Sequence, residues 1–119
     1  MRRTFIAACA CAALAACSGN PLDGLLPPKG SCNAPALHSC TDYTGSAWSV
    51  PSSGSRACTA VGNGAAYAST ACTAASRVGS CIVNHGGTDE IVVRLYPPLT
   101  LATAQAACAT MSGSTFVAN

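Results

Sequence analysis

The side chains in this sequence that could act as bases, nucleophiles or metal ligands are two histidines, nine cysteines and four carboxylates. His38 and His85 are the general-base candidates, with Asp42, Asp89 and Glu90 as possible partners. His85-Gly86-Gly87 has the form of a lipase oxyanion loop. That loop works beside a Gly-x-Ser-x-Gly nucleophile elbow, which the sequence lacks. His38 and Asp42 would share a face on a helix, but Leu37 to Tyr43 reads as a strand, where they stand apart along one face. Asp89-Glu90 beside a glycine-rich turn reads as a solvated pair. Clustered cysteines raise the question of zinc. There is no Cys-x-x-Cys pair, however, and the gaps between successive cysteines from Cys32 to Cys108 run from 8 to 27 residues, so no metal and no cofactor are expected. One catalytic alternative remains: a small hydrolase-like or enzyme-accessory domain that assembles His38, His85 and Asp42. The expected reading is non-catalytic. For binding, the candidates are the lone Trp48 and Tyr43, which could stack on a sugar ring or anchor a protein. The competing reading makes Trp48 a core plug.

The first cysteines lie in a different setting. Arg2 and Arg3 precede an uncharged apolar run, Phe5 to Ala13, that is too short to span a bilayer and ends in small residues, as a signal peptide does. The next four residues, Leu14-Ala15-Ala16-Cys17, resemble the lipobox of bacterial lipoprotein precursors. The resemblance implies that the Cys17 thiol receives a diacylglycerol, that cleavage falls just before it, and that a palmitate-type acyl chain follows on the freed amine. Ile6-Ala7-Ala8-Cys9 fits the same pattern, but cleavage there would leave too little apolar chain for export. Arg2-Arg3-Thr4-Phe5-Ile6 is also similar to a twin-arginine signal. With Ser18 rather than aspartate after the lipidated cysteine, the family pattern implies a cell-envelope protein of the outer membrane.

Removal of residues 1–16 leaves Lys29, Arg56, Arg77 and Arg94 against Asp23, Asp42, Asp89 and Glu90, a formally neutral chain. It has no positive field for nucleic acid. Membrane contact would come through the lipid anchor alone, with an envelope protein or glycan as the partner. The expected organisation is a signal peptide over 1–16, the lipidated cysteine with an extended Pro/Gly tether over 17–31, and a disulfide-rich domain over 32–119. Six cysteines remain in that domain, an even set that reads as three disulfides. A small domain rich in alanine, serine and threonine is marginal by burial alone, and three bridges at roughly 2–4 kcal/mol each would offset the deficit.

Cys81-Ile82-Val83, a turn through Asn84-His85-Gly86-Gly87-Thr88, and Glu90 to Tyr96 predict a β-hairpin. Thr100 can cap a helix on which Leu101, Ala104, Cys108 and Met111 share a face, stopped at Gly113. A weaker helix around Cys58 would open near Pro51, with Gly54 counting against it. A degenerate internal repeat runs through both halves: a tyrosine strand (Tyr43, Tyr96), a small-residue segment with a cysteine (Cys58, Cys108) and an aromatic strand (Tyr67, Phe116). The fold class is therefore α+β, a short antiparallel sheet with two short helices on one face, stapled by disulfides. Matched separations of 26 and 27 residues suggest Cys32–Cys58 and Cys81–Cys108 as equivalent bridges, leaving Cys40–Cys72. A nearest-neighbour scheme containing Cys72–Cys81 competes. Cys40-Thr41-Asp42-Tyr43-Thr44-Gly45, Arg77 to Cys81 and Thr103 to Cys108 look similar to short cysteine-rich bacterial lipoproteins, a resemblance that assigns no catalytic residue.

Overall fold

The computed structural model describes residues 25–119. The signal segment, Cys17 and the tether as far as Gly24 lie outside the described residues.

The sheet is organised around the most β-branched run of the chain. Strand β5, Ile91–Leu95, has antiparallel neighbours on both sides: β4, Gly79–Val83, and β2, Ser39–Tyr43. Residues 84–90 connect β4 to β5, and Asn84 and Gly86 take positive φ there, a conformation that asparagine and glycine tolerate. Outward from this centre, β1, Ser31–Ala34, pairs with β2. The short β3, Ala66–Ala68, forms one edge and β6, Ser114–Ala118, the other. The strand order is β3-β1-β2-β5-β4-β6. The chain thus runs through two strands, a helix and a strand twice over, and β2 and β5 join the two halves. With two helices and three disulfides, this is a small α+β domain.

Register fixes which side chains meet the helices. Cys32, Thr41, Val93, Cys81 and Phe116 are successive cross-strand partners, so they project from the same face. Helix α1, Ser53–Val61, brings Cys58 to Cys32; helix α2, Leu101–Ala109, brings Cys108 to Cys81. Two small cores surround these bridges. One gathers Cys81, Val93, Leu95, Ala104 and Cys108; the other gathers Cys32, Tyr43 and Cys58. Small helix side chains allow close approach to the sheet, and the bridges contribute what a larger core would otherwise supply.

Helix α2 starts at a reciprocal capping box, with Thr100 accepting from the Thr103 amide and the Thr103 hydroxyl accepting from the Thr100 amide. Helix α1 starts at Ser53, two residues after Pro51. Gly54, which helix propensity counted as a cost, is buried against Tyr43 and Tyr67.

Two boundaries differ from expectation. The strand read from Leu37 starts at Ser39: Pro35–Leu37 is a 3-10 turn, and His38 closes it at φ 52°, a left-handed conformation that reverses the chain from β1 into β2. The tether also joins the domain early. The Lys29 amide donates to the Tyr43 carbonyl at 2.8 Å and the Tyr43 amide to the Gly30 carbonyl at 2.9 Å, so ordered pairing begins before residue 32.

Candidate functional site

The sheet face opposite the helices carries the polar chemistry. After β3 the chain must reach β4 on the far side of β1, β2 and β5, and residues 69–78 make that crossing with no regular structure. The segment is composed mostly of small residues; the Val78 amide donates to the Leu95 carbonyl at its end, and three further contacts hold it upstream. Cys72 is bridged to Cys40, the Cys72 amide donates to Asp42 Oδ1 at 2.8 Å, and Tyr96 Oη donates to the Thr73 carbonyl at 2.7 Å. Burial of the Tyr96 phenol pushes its pKa up.

Under this crossing lies a cleft of about 470 Å³. Its floor is Ser31, Asn33 and Cys40 of the sheet, its wall is Thr70 to Thr73, and His38, Tyr96 and Pro97 close one end. The size falls in the range of small-molecule sites. No lysine, arginine, aspartate or glutamate lines it, and His38 is its one imidazole. Beside it, Asp42 forms an ion pair with Arg94, Nε to Oδ2 at 3.0 Å, and Arg94 donates a second bond to Ser80 Oγ at 3.0 Å. Asp42 is 2% exposed. Its two carboxylate oxygens are taken up by Arg94 and Cys72, so it anchors structure rather than serving as a base.

A second polar cluster sits at the β4–β5 turn. Glu90 is 4% exposed, which overturns its reading as a solvated turn residue. Its carboxylate accepts from Thr44 Oγ1 at 2.6 Å, from the Gly86 amide at 2.8 Å and from His85 Nδ1 at 2.8 Å. Burial pushes the Glu90 carboxyl up, but these three donors together hold it below its ordinary value. The Glu90 carbonyl accepts the amides of Thr44 and Gly45 and the indole N–H of Trp48. Asp89, by contrast, is exposed and accepts from the Asn84 side chain.

These placements separate the residues proposed for catalysis. The His38 carbonyl accepts from the Tyr96 amide beyond one end of β5, whereas His85 bonds Glu90 at the other end. The six residue steps from Glu90 to Tyr96, at about 3.3 Å each, put the two histidines on the order of 20 Å apart. Asp42 is committed to Arg94. The His38, His85 and Asp42 set is therefore not assembled, because sheet register places its members at different ends and on different partners. The binding candidates are also largely occupied. Tyr43 is 4% exposed, and Trp48 lies half-buried with its ring centroid 4.6 Å from that of Tyr43 and its N–H used by Glu90. The cleft, which the sequence did not indicate, is the concave site instead.

The three disulfides are Cys32–Cys58, Cys40–Cys72 and Cys81–Cys108, the same pairs to which the matched spacings pointed. Among the described residues, no group of three or more histidines, cysteines, aspartates or glutamates is placed to hold a metal ion, and no helix is long and apolar enough to cross a membrane. Compared with known proteins, the chain matches no family model, no curated protein and no solved structure.

Proposed function

We propose that the chain is a lipoprotein of the bacterial cell envelope, attached through Cys17 and carrying a non-catalytic binding or scaffolding domain. The observation that carries this reading is the sequence Leu14-Ala15-Ala16-Cys17 after a short apolar run, ahead of a domain whose six other cysteines are all bridged. Closed disulfides accord with an oxidising compartment outside the cytoplasm. Two acyl chains, at about 0.8 kcal/mol per buried methylene, give durable attachment without a spanning helix. Ser18 after the anchor favours the outer membrane. Among the described residues, the first backbone hydrogen bond to the sheet is the one from the Lys29 amide.

The cleft beneath residues 69–73 is the binding site in this proposal, with an envelope protein or a neutral glycan as its occupant. Neutral hydroxyl and amide groups among apolar side chains, with no charged lysine, arginine, aspartate or glutamate, suit an uncharged ligand. The test of the anchor is the Cys17→Ala variant, which should lose fatty-acid labelling and accumulate as a larger, uncleaved chain. Normal processing of that variant would refute the anchor. For the cleft, a photo-crosslinker at Asn33 should capture an envelope component that the same probe on the exposed helix residue Gln105 does not. Identical capture from both positions would remove the cleft from the proposal.

A further inference from the structure

The three disulfides have unequal surroundings. Cys32, Cys58, Cys81 and Cys108 are each 2% exposed or less and lie between sheet and helix. Cys72 is the one bridged cysteine that is partly exposed, and both it and Cys40 line the cleft. Thiol–disulfide exchange requires a thiolate to reach one sulfur in line with the S–S bond, so access selects the bridge and the sulfur attacked. What each bridge holds also differs. Loss of either helix bridge opens a core. Loss of Cys40–Cys72 frees a crossing segment otherwise held by the Cys72 amide to Asp42 and by the Tyr96 hydroxyl to Thr73.

We propose that Cys40–Cys72 is a thiol-exchange site whose reduction opens the cleft, with a dithiol reductant as its reaction partner. A thiolate of the reductant bonds to Sγ of Cys72, the Cys40–Cys72 bond breaks, and its electron pair leaves on Cys40, which takes a proton from solvent. The second thiolate of the reductant then attacks the mixed disulfide, releasing the Cys72 thiolate to be protonated in turn. The bridge gains two electrons and two protons, and the dithiol ends as a disulfide. Arg94 lies directly across from Cys40 in the register, and its positive charge, partly balanced by Asp42, favours the departing thiolate. Reduction leaves residues 69–77, which include the Thr70 to Thr73 wall of the cleft, held only by the Cys72–Asp42 and Tyr96–Thr73 hydrogen bonds, and leaves the sheet and both helices stapled. This inference stands whether or not the chain is lipidated.

The test is graded reduction of the full chain with dithiothreitol, followed by alkylation with N-ethylmaleimide and sequencing of the labelled peptides. Cys40 and Cys72 should be alkylated at least tenfold faster than the other four, with far-UV circular dichroism and Trp48 fluorescence unchanged. Trypsin should then cut after Arg77 at least tenfold faster than in the oxidised chain. Reduction of all three bridges together, earlier reduction of Cys32–Cys58 or Cys81–Cys108, or unfolding at the first step would overturn the proposal. A Cys40→Ser/Cys72→Ser variant should keep the native dichroism and show the fast Arg77 cut without reductant. A variant that is unfolded, or cut no faster than the parent, counts against the proposal equally.

Discussion

Thr44 and Glu90 hold each other through both side chain and backbone: the Thr44 hydroxyl donates to the Glu90 carboxylate at 2.6 Å and the Thr44 amide to the Glu90 carbonyl at 3.2 Å. The pair ties the end of β2 to the β4–β5 turn. It places a buried carboxylate where charge is tolerated only because Gly86 and His85 also donate to it. Among the described residues, no buried side-chain nitrogen or oxygen lacks a hydrogen-bond partner.

Acid should loosen this junction. The folded Glu90 pKa lies below its ordinary value, so its contribution is complete above the unfolded carboxylate range and is lost as pH falls below about 4. Glu90→Gln should cost roughly 1.5–3 kcal/mol at pH 7, because a charged acceptor is replaced by a neutral group that must also place its NH2. The same variant should flatten the stability profile between pH 6 and pH 3. Urea midpoints for both chains across that range check the sign.

Gly54→Ala sets two effects against each other. Alanine gains about 1 kcal/mol in helix propensity. Its Cβ, however, would lie 3.0 Å from Tyr67 Cε2 and 3.2 Å from Tyr43 Cδ2, and the buried Tyr43 ring, packed on Trp48, has nowhere to move. Overpacking costs about 1–3 kcal/mol, so the net change should be destabilising by about 1 kcal/mol. A thermal midpoint above that of the parent would show that the rings yield.

Asp42→Ala should cost about 3 kcal/mol or more, since it leaves Arg94 without its carboxylate and the Cys72 amide without an acceptor. Adding Arg94→Met should recover part of that loss, with a coupling energy of about 1 kcal/mol or more in a double-mutant cycle. Additive losses would mean that the ion pair is a bystander. Denaturant unfolding of the four chains supplies the cycle.

Trp48→Phe should keep the contact with Tyr43 while losing the indole hydrogen bond to the Glu90 carbonyl, for a cost of about 1 kcal/mol. Cleft crosslinking from Asn33 should be unchanged in this variant. Loss of that capture would return Trp48 to the binding surface.

Much of the fold was legible because it rests on local signals. The turn residues Asn84 and Gly86 between two β-branched runs announced the hairpin, and Thr100 announced α2. The separations Cys32–Cys58 and Cys81–Cys108 were informative because each bridge closes the same strand-to-helix step. The polar chemistry was not legible, because register rather than spacing creates it. Asp42 and Arg94 lie 52 residues apart, and the β2–β5 alignment alone brings them together. Glu90 gave no sign of burial beside the exposed Asp89, since its donors come from the turn and from Thr44. The cleft depends on a crossing segment without any periodic pattern, so its wall of alanine and threonine read as plain loop. Leu37 to Tyr43 reads as a strand that includes His38, but Pro35 starts a 3-10 turn there, and the left-handed His38 ends it.

The anchoring claim has a direct measurement. Lys29 is the first lysine or arginine after Arg3, so tryptic digestion of the protein extracted from its native membrane yields one N-terminal peptide ending at Lys29. Mass spectrometry should find that peptide starting at Cys17, with the sulfur carrying a diacylglycerol. A peptide running from Thr4 to Lys29, or one starting at Cys17 with a free thiol, would contradict the account.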